Sequence, residues 1–273
     1  MGKFDGILIC TDLDGTLFRN DKTVSSENAE AMEYFKKEGG YFTFVTGRMP
    51  FYVSDAVNAV KPNAPIGCNN GGGLYDCEKD EYVWYAPMEK DATELVKYID
   101  EKFPDVGIQV GTLHNLFFCK ENETMEYFRR VTGLENLVCH YTDVKDPIVK
   151  IVFGTDDGNV LSAVADALTK HPYAKYFDMV KTERRLFEIL PKGAKKGVVI
   201  KKLCSHLGID KSRTFAIGDY DNDASMLREA GIGIAVANAS EAAKAAADHI
   251  TVSNEENAIA RVICDIEEGK FDI

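Results

Sequence analysis

Residues 7–10 read Ile-Leu-Ile-Cys, a continuous apolar run suited to a strand buried on both faces. Such strands belong to sheets wrapped by helices, and open α/β sheets bind ligands beyond their strand tips. Directly after the run stands Thr11-Asp12-Leu13-Asp14-Gly15-Thr16. Side chains two residues apart point the same way on an extended backbone, so Asp12 and Asp14 are expected to converge at the strand tip. Two carboxylates held together repel unless one takes a proton or a cation sits between them. Gly15 lets the backbone turn and approach a ligand closely.

Acidic alternation of this kind also begins calcium loops, and Asp219-Tyr220-Asp221-Asn222-Asp223 has that look. An EF-hand needs Gly at loop position six and Glu at position twelve. Ala224 and Ala230 occupy those places, and counting from Asp12 puts Leu17 at position six, so neither stretch qualifies.

Both ends of the chain alternate strand and helix. Near the start, expected strands at 7–11 and 41–45 flank a helix over 25–37, which Gly39-Gly40 ends. Pro50 suits the first turn of a helix with Val53, Val57 and Val60 on one face, and 74–77 with 82–85 reads as a hairpin. The middle differs: helices near 89–103, 121–131 and 160–168 mix with strands near 107–111, 114–119, 147–153, 176–181 and 186–190. That is an α+β pattern. After Pro191 the alternation resumes, with a helix at 195–206 ended by Gly208, strands at 214–217, 232–236 and 249–252, and helices at 222–229, 240–247 and 256–267. The simplest architecture is an α/β, Rossmann-like parallel-sheet core made of 1–83 and 188–273, with an α+β module at 84–187 inserted in it.

Four polar motifs fall where a strand tip or helix start is expected: Asp12–Thr16, Thr46-Gly47-Arg48, Lys192-Gly193-Ala194-Lys195-Lys196-Gly197 and Gly218–Asp223. Together they supply a carboxylate nucleophile, a second carboxylate, a hydroxyl, an ammonium and further oxygen ligands. Phosphoryl transfer needs such an inventory, because it depends on positioning and charge neutralisation more than on difficult covalent chemistry. Asp-Gly-Thr alone is commonly a turn, Thr-Gly often ends strands, and paired lysines are usually solvated. The joint occurrence and order of the four carry the reading.

In these motifs the sequence resembles the haloacid dehalogenase superfamily, and within it the Cof-type sugar-phosphate phosphatases that carry an inserted α/β (C2B-type) cap. The Asp-Leu-Asp-Gly-Thr and distal Gly-Asp-x-x-Asn-Asp motifs, the Lys-Gly-x-x-Lys-Gly run and the Ala237–Ala242 stretch all match, in order, across nearly the whole chain. The resemblance implies a Mg²⁺-dependent phosphatase acting on a small phosphorylated metabolite, a sugar phosphate above all. It implies Asp12 as the nucleophile that forms an aspartyl-phosphate and Asp14 as the acid and then the base. Thr46, Gly47, Lys196 and Asn222 would hold the phosphate, with Lys196 singled out over Lys195 by register. Mg²⁺ would be held by Asp12, the Asp14 backbone carbonyl and Asp219, and Asp223 would orient the lysine. Arg48 either touches substrate or pairs with a carboxylate. Residues of 84–187 would set specificity, with Asp105, His114, Asn115, Arg129, Arg130, Arg184 and Arg185 polar enough to contact substrate. A phosphomutase, or a non-catalytic phospho-acceptor, would use a similar inventory. The former must shield its intermediate from water, and the latter is shorter and lacks the second carboxylate.

A formal net charge of −12 argues against nucleic acid and against anionic membrane surfaces as partners. Seven scattered cysteines without a CxxC pair, and no apolar run near the roughly 20 residues a membrane span needs, fit a cytoplasmic protein with reduced thiols. The five histidines show no ligand spacing, which disfavours zinc. Several family members act as monomers, and the resemblance is compatible with that state.

Overall fold

The apolar run forms β1 (Leu8–Thr11), every residue of which is buried. The computed structural model describes residues 2–88 and 91–271. By the density of internal packing the chain divides into two units, Met1–Tyr85 with Lys195–Ile273, and Ala86–Ala194.

In the first unit, Ser25 caps α1 (Ser26–Lys37) by accepting from the Asn28 N–H at 3.1 Å. The chain continues through β2 (Tyr41–Phe44), a 3-10 turn at Pro50–Tyr52 and α2 (Ser54–Val60). Pro50 thus opens a short turn rather than the helix itself, which begins four residues later. A small antiparallel sheet follows, of β3 (Ile66–Cys68), β4 (Gly73–Asp76) and β5 (Glu81–Tyr85). Trp84 is partly buried in this unit, with the Lys202 ammonium 4.5 Å from its ring centroid.

The second unit comprises α3 (Thr93–Lys102), β6 (Gly107–Thr112), β7 (Leu116–Lys120), α4 (Glu123–Thr132), β8 (Ile148–Gly154), α5 (Gly158–Thr169), β9 (Phe177–Glu183) and β10 (Leu186–Pro191). The expected start of α3 at 89 falls outside the described residues. The strands make one antiparallel sheet, ordered β7-β6-β8-β10-β9. Leu95, Ile99, Leu161 and Leu168 pack with Ile108, Ile151 and Ile189 in one cluster, and Met125 packs with Phe118 and Val152 in another. Between strands lies a buried Lys150–Glu188 ion pair at 2.7 Å. The seams at 85/86 and 194/195 lie beyond the expected 83/84 and 187/188, and a seam at 187/188 would cut β10 out of its pairing with β8 and β9.

The chain then completes the first unit with α6 (Lys196–Leu207), closed by Gly208 at φ +69°, β11 (Thr214–Gly218), α7 (Ala224–Glu229), β12 (Ile232–Ala235), α8 (Glu241–Lys244), β13 (His249–Ile250) and α9 (Ala258–Glu267). Its main sheet is parallel throughout, in the order β13-β12-β11-β1-β2. From the centre, connections run outward both ways, β1 to β2 on one side and β11 to β12 to β13 on the other. The switch in direction therefore falls at β1 and β11, where such sheets leave a crevice at the carboxyl ends. Phe35, Phe42 and Phe215 are fully buried around these strands. Each contributes roughly 2 kcal/mol of burial, so packing, rather than charge pairing at the tips, holds the strands in place. Among the described residues the cysteines are free, and Cys10 and Cys68 are buried. No described helix is long and apolar enough to cross a membrane.

Candidate active site

Asp12 follows β1 directly, and its backbone N–H donates to the Ile217 carbonyl of β11 at 2.9 Å. Asp219 follows β11 directly. Lys196 is the first residue of α6 and 2% exposed, whereas Lys195 is the exposed cap residue before it. Register therefore turns Lys196 inward. Its ammonium donates to Asp12 Oδ1 at 2.6 Å and to Asp223 Oδ1 at 2.5 Å. Asp223 closes the short turn Asp221–Asp223, and its other oxygen accepts the backbone N–H groups of Asp219 and Tyr220 at 2.9 and 3.0 Å.

Oxygens of Asp12, Asp219 and Asp223 lie within 4.8 Å of one another. Three carboxylates facing one ammonium leave a formal surplus of two negative charges. Asp12, Asp219 and Lys196 are each pushed toward their protonated forms. Burial raises Asp12 well above the usual carboxylate range, against the opposing pull of Lys196. Burial, with Asp223 next, raises Asp219 to about 6. Burial alone would lower the Lys196 ammonium, but Asp12 and Asp223 outweigh it and hold it above its ordinary value. A hard divalent cation with oxygen ligands suits such a donor set, and Mg²⁺ binds through few carboxylates while keeping several waters. Both oxygens of Asp223 are already engaged, which favours Asp12 and Asp219 as its direct protein carboxylates.

The carboxylate of Asp14 is not in this group, contrary to the convergence expected from i, i+2 spacing. β1 ends at Thr11, and the Leu13 carbonyl accepts from the N–H groups of Leu17 and Phe18 at 3.1 and 2.8 Å. The backbone has therefore already turned at 14, and the period-two rule no longer applies. Asp14 instead meets Lys22 Nζ at 2.8 Å and Arg48 Nη2 at 3.0 Å. Partial burial would raise its pKa, but Arg48 and Lys22 outweigh that and hold it below the usual range. Arg48 is thus a carboxylate partner, with its Nη1 on Asp55 at 3.1 Å.

Thr46 and Gly47 lie just past β2, and Thr46 Oγ1 accepts the Arg48 N–H at 3.2 Å. Their link to the acidic group runs through Asn70. Its N–H donates to the Thr46 carbonyl at 3.0 Å, and its side-chain oxygen accepts from Asn222 Nδ2 at 3.0 Å. Asn69 and Asn70 both have positive φ, 53° and 54°, a conformation asparagine tolerates better than most residues. Gly71, at φ +96°, follows them, and a Cβ there would lie 2.1 Å from the Lys195 carbonyl oxygen. The asparagine turn is pressed against the start of α6, and only glycine fits.

Three further residues, within or beside the motifs, received no individual role from the sequence. Thr16 Oγ1 donates to Asp219 Oδ1 at 2.9 Å. Asn238 Nδ2 donates to the Gly15 carbonyl at 2.8 Å, so the 237–242 stretch braces the acidic turn. Asn70, which the sequence offers either as a cleft-lining residue or, more plainly, as a turn residue, is the bridge described above. Of the polar residues considered in the second unit, Asn115 bonds within its own hairpin, Arg129 pairs with Glu121 at 3.6 Å and Arg185 with Asp156 at 2.9 Å.

The family profile of haloacid dehalogenase-like hydrolases matches residues 9–263. The 5-amino-6-(5-phospho-D-ribitylamino)uracil phosphatase YitU of Bacillus subtilis is 26% identical over 266 residues, covering 94% of this chain and 96% of that protein. A haloacid dehalogenase-like hydrolase from Bacteroides thetaiotaomicron superposes with a TM-score of 0.83 at 25% identity, over 95% of this chain and 99% of its own. The subclass IIB sugar phosphatase BT4131 superposes at 0.82 and 21% identity, over 95% and 98% of the two chains, and so shares the fold.

Proposed function

The chain belongs to the haloacid dehalogenase-like hydrolases, and from that premise we propose that it is a Mg²⁺-dependent phosphatase of small phosphorylated metabolites, with sugar or sugar-alcohol phosphates as the substrate class. The observation that carries this reading is the buried Lys196 ammonium bonded at once to Asp12 and Asp223 beside Asp219. The ribityl phosphate in the name of a relative over 94% of the chain favours a polyol leaving group.

In this reading the Asp12 oxygen not bonded to Lys196 attacks phosphorus, the bond to the leaving oxygen breaks, and an aspartyl-phosphate forms on Asp12. Lys196 keeps that carboxylate oriented and offsets charge on the incoming phosphate. Asp12, Asp219 and the Asp14 backbone carbonyl would hold Mg²⁺, which supplies charge neutralisation and keeps Asp12 ionised. Thr46, Gly47 and Asn222 bind the phosphoryl oxygens, with Asn70 fixing Asn222. Asp14 starts as a carboxylate. The negative charge of an arriving phosphate favours its taking a proton, which it passes to the leaving alkoxide before accepting one from the hydrolytic water. The inserted unit sets which alcohol is accepted.

Hydrolysis of hexose and pentitol phosphates, with and without Mg²⁺, alongside Asp12→Asn, tests the reading. Turnover should require the metal and fall at least about 10³-fold in the variant, since an amide is a poor nucleophile. Metal-dependent turnover surviving in Asp12→Asn would reject it. A phosphomutase would instead move phosphate between hydroxyls with little free phosphate released.

A further inference from the structure

Lys22 lies outside all four polar motifs, yet its ammonium donates to Asp14 Oδ1 at 2.8 Å. Its φ of 66° is one that lysine rarely adopts, and the loop around it is tied down at several points. Its N–H donates to the Arg19 carbonyl at 2.9 Å, and the Arg19 N–H donates to the Thr23 carbonyl at 2.9 Å. The Arg19 guanidinium reaches Asn257 Oδ1 at 3.1 Å, and the Asn20 N–H reaches Glu255 Oε1 at 2.7 Å. Residues 19–23 are therefore anchored to the 254–257 segment, which presents Lys22 from a direction that Arg48 does not occupy.

Arg48 grips the same carboxylate from the α2 side, its Nη2 3.2 Å from Oδ1 and 3.0 Å from Oδ2, with Asp55 holding the other arm of the fork. The Asp14 side chain is 43% exposed and that of Lys22 is 66% exposed, so the pair adds little to stability. Its consequence is directional. A short, solvated carboxylate held by one cation can still swing, whereas two cations from separate segments restrain both oxygens. Proton transfer depends on that direction, and a displacement of about 1 Å can cost on the order of 100-fold in rate.

We propose that Lys22 is a positioning residue for proton transfer by Asp14, acting with Arg48 to hold the carboxylate in one orientation. The proposal rests on the phosphatase reading above, in which Asp14 protonates the leaving oxygen. An alkyl phosphate needs that proton, whereas p-nitrophenyl phosphate leaves as a stable phenolate without it.

The test is steady-state kinetics of the Mg²⁺-loaded protein on a hexose phosphate and on p-nitrophenyl phosphate, for wild type, Lys22→Met and Lys22→Arg. Lys22→Met should lower kcat/KM on the hexose phosphate about tenfold, through kcat rather than KM. It should change kcat/KM on the aryl ester, a ratio that ends at departure of the phenolate and excludes the water step, by less than about twofold. Lys22→Arg, which keeps a donor of similar reach, should recover most of the loss, and unchanged thermal melting of both variants would confirm that they fold. Equal losses of kcat/KM on the two esters, no loss on either, or a loss that comes from a rise in KM alone would overturn the positioning role, the last making Lys22 a substrate contact. Wild-type protein without metal-dependent hydrolysis of either ester would instead refute the phosphatase reading, before any variant is compared.

Discussion

Replacing Lys196 by methionine removes one ammonium from between two carboxylates and leaves nearly the same volume behind. Lys196 is 2% exposed and bonded to Asp12 and Asp223 at 2.6 and 2.5 Å. Removing one partner of a buried ion pair costs about 3–5 kcal/mol. Asp223 would keep its two backbone N–H donors, so the lower end, about 3 kcal/mol, is expected near pH 8. For a chain of this size that is a fall of roughly 6–12 °C in Tm. The loss should depend on pH, with a definite sign. Burial already raises Asp12 above the usual carboxylate range, and loss of the opposing Lys196 charge raises it further. A carboxyl whose folded-state pKa is raised binds more protons folded than unfolded, so stability is fullest below the unfolded value near 4 and drains away as pH rises through the folded one. The deficit of Lys196→Met relative to wild type should thus be larger at pH 8 than at pH 5. Thermal unfolding of both proteins in a chelator at the two pH values measures it directly, and turnover should fall on the order of 10²–10³-fold. An equal Tm deficit at both pH values, or none, would refute the claim that this lysine offsets buried ionised carboxylates.

Gly15 has φ +83°, and a Cβ on it would lie 2.5 Å from Asp219 Oδ2. Gly15→Ala should therefore weaken Mg²⁺ binding about tenfold or more by displacing that carboxylate, and titration calorimetry showing unchanged affinity would contradict it. Because burial and Asp223 raise Asp219 to about 6, protons should compete with the metal there. Mg²⁺ affinity is expected to fall as pH drops through about 6, and Asp219→Asn should lose both the affinity and this step. A wild-type affinity independent of pH between 5 and 7 would place the proton elsewhere.

Much of this protein was legible before its fold was seen, for identifiable reasons. The apolar run at 7–10 that becomes a buried strand and the helix-ending Gly208 are local features, and local chemistry decides them. Lys196 was chosen over Lys195 from the register of its motif, and helix geometry places it inward and its neighbour outward. Errors arose where a local rule was carried past its range. The alternation rule fails at Asp14 because the chain leaves the extended state two residues earlier. The partners of Asn70 and Thr16 are not legible in the sequence because Asn222 and Asp219 lie about 150 and 200 residues away.

The sequence alone determined the alternating elements, the interruption by an α+β insertion and the identity of the chemical groups, because periodicity, caps and turn residues act over a few positions. Only the tertiary structure decided how those groups are shared out. It gave Lys196 to Asp12 and Asp223 together, turned Asp14 toward Lys22 and Arg48, and joined the Thr46 loop to Asn222 through Asn70. Side-chain partners at a strand tip depend on where chain segments distant in sequence arrive, and the packing of the parallel sheet and its helices sets that arrival.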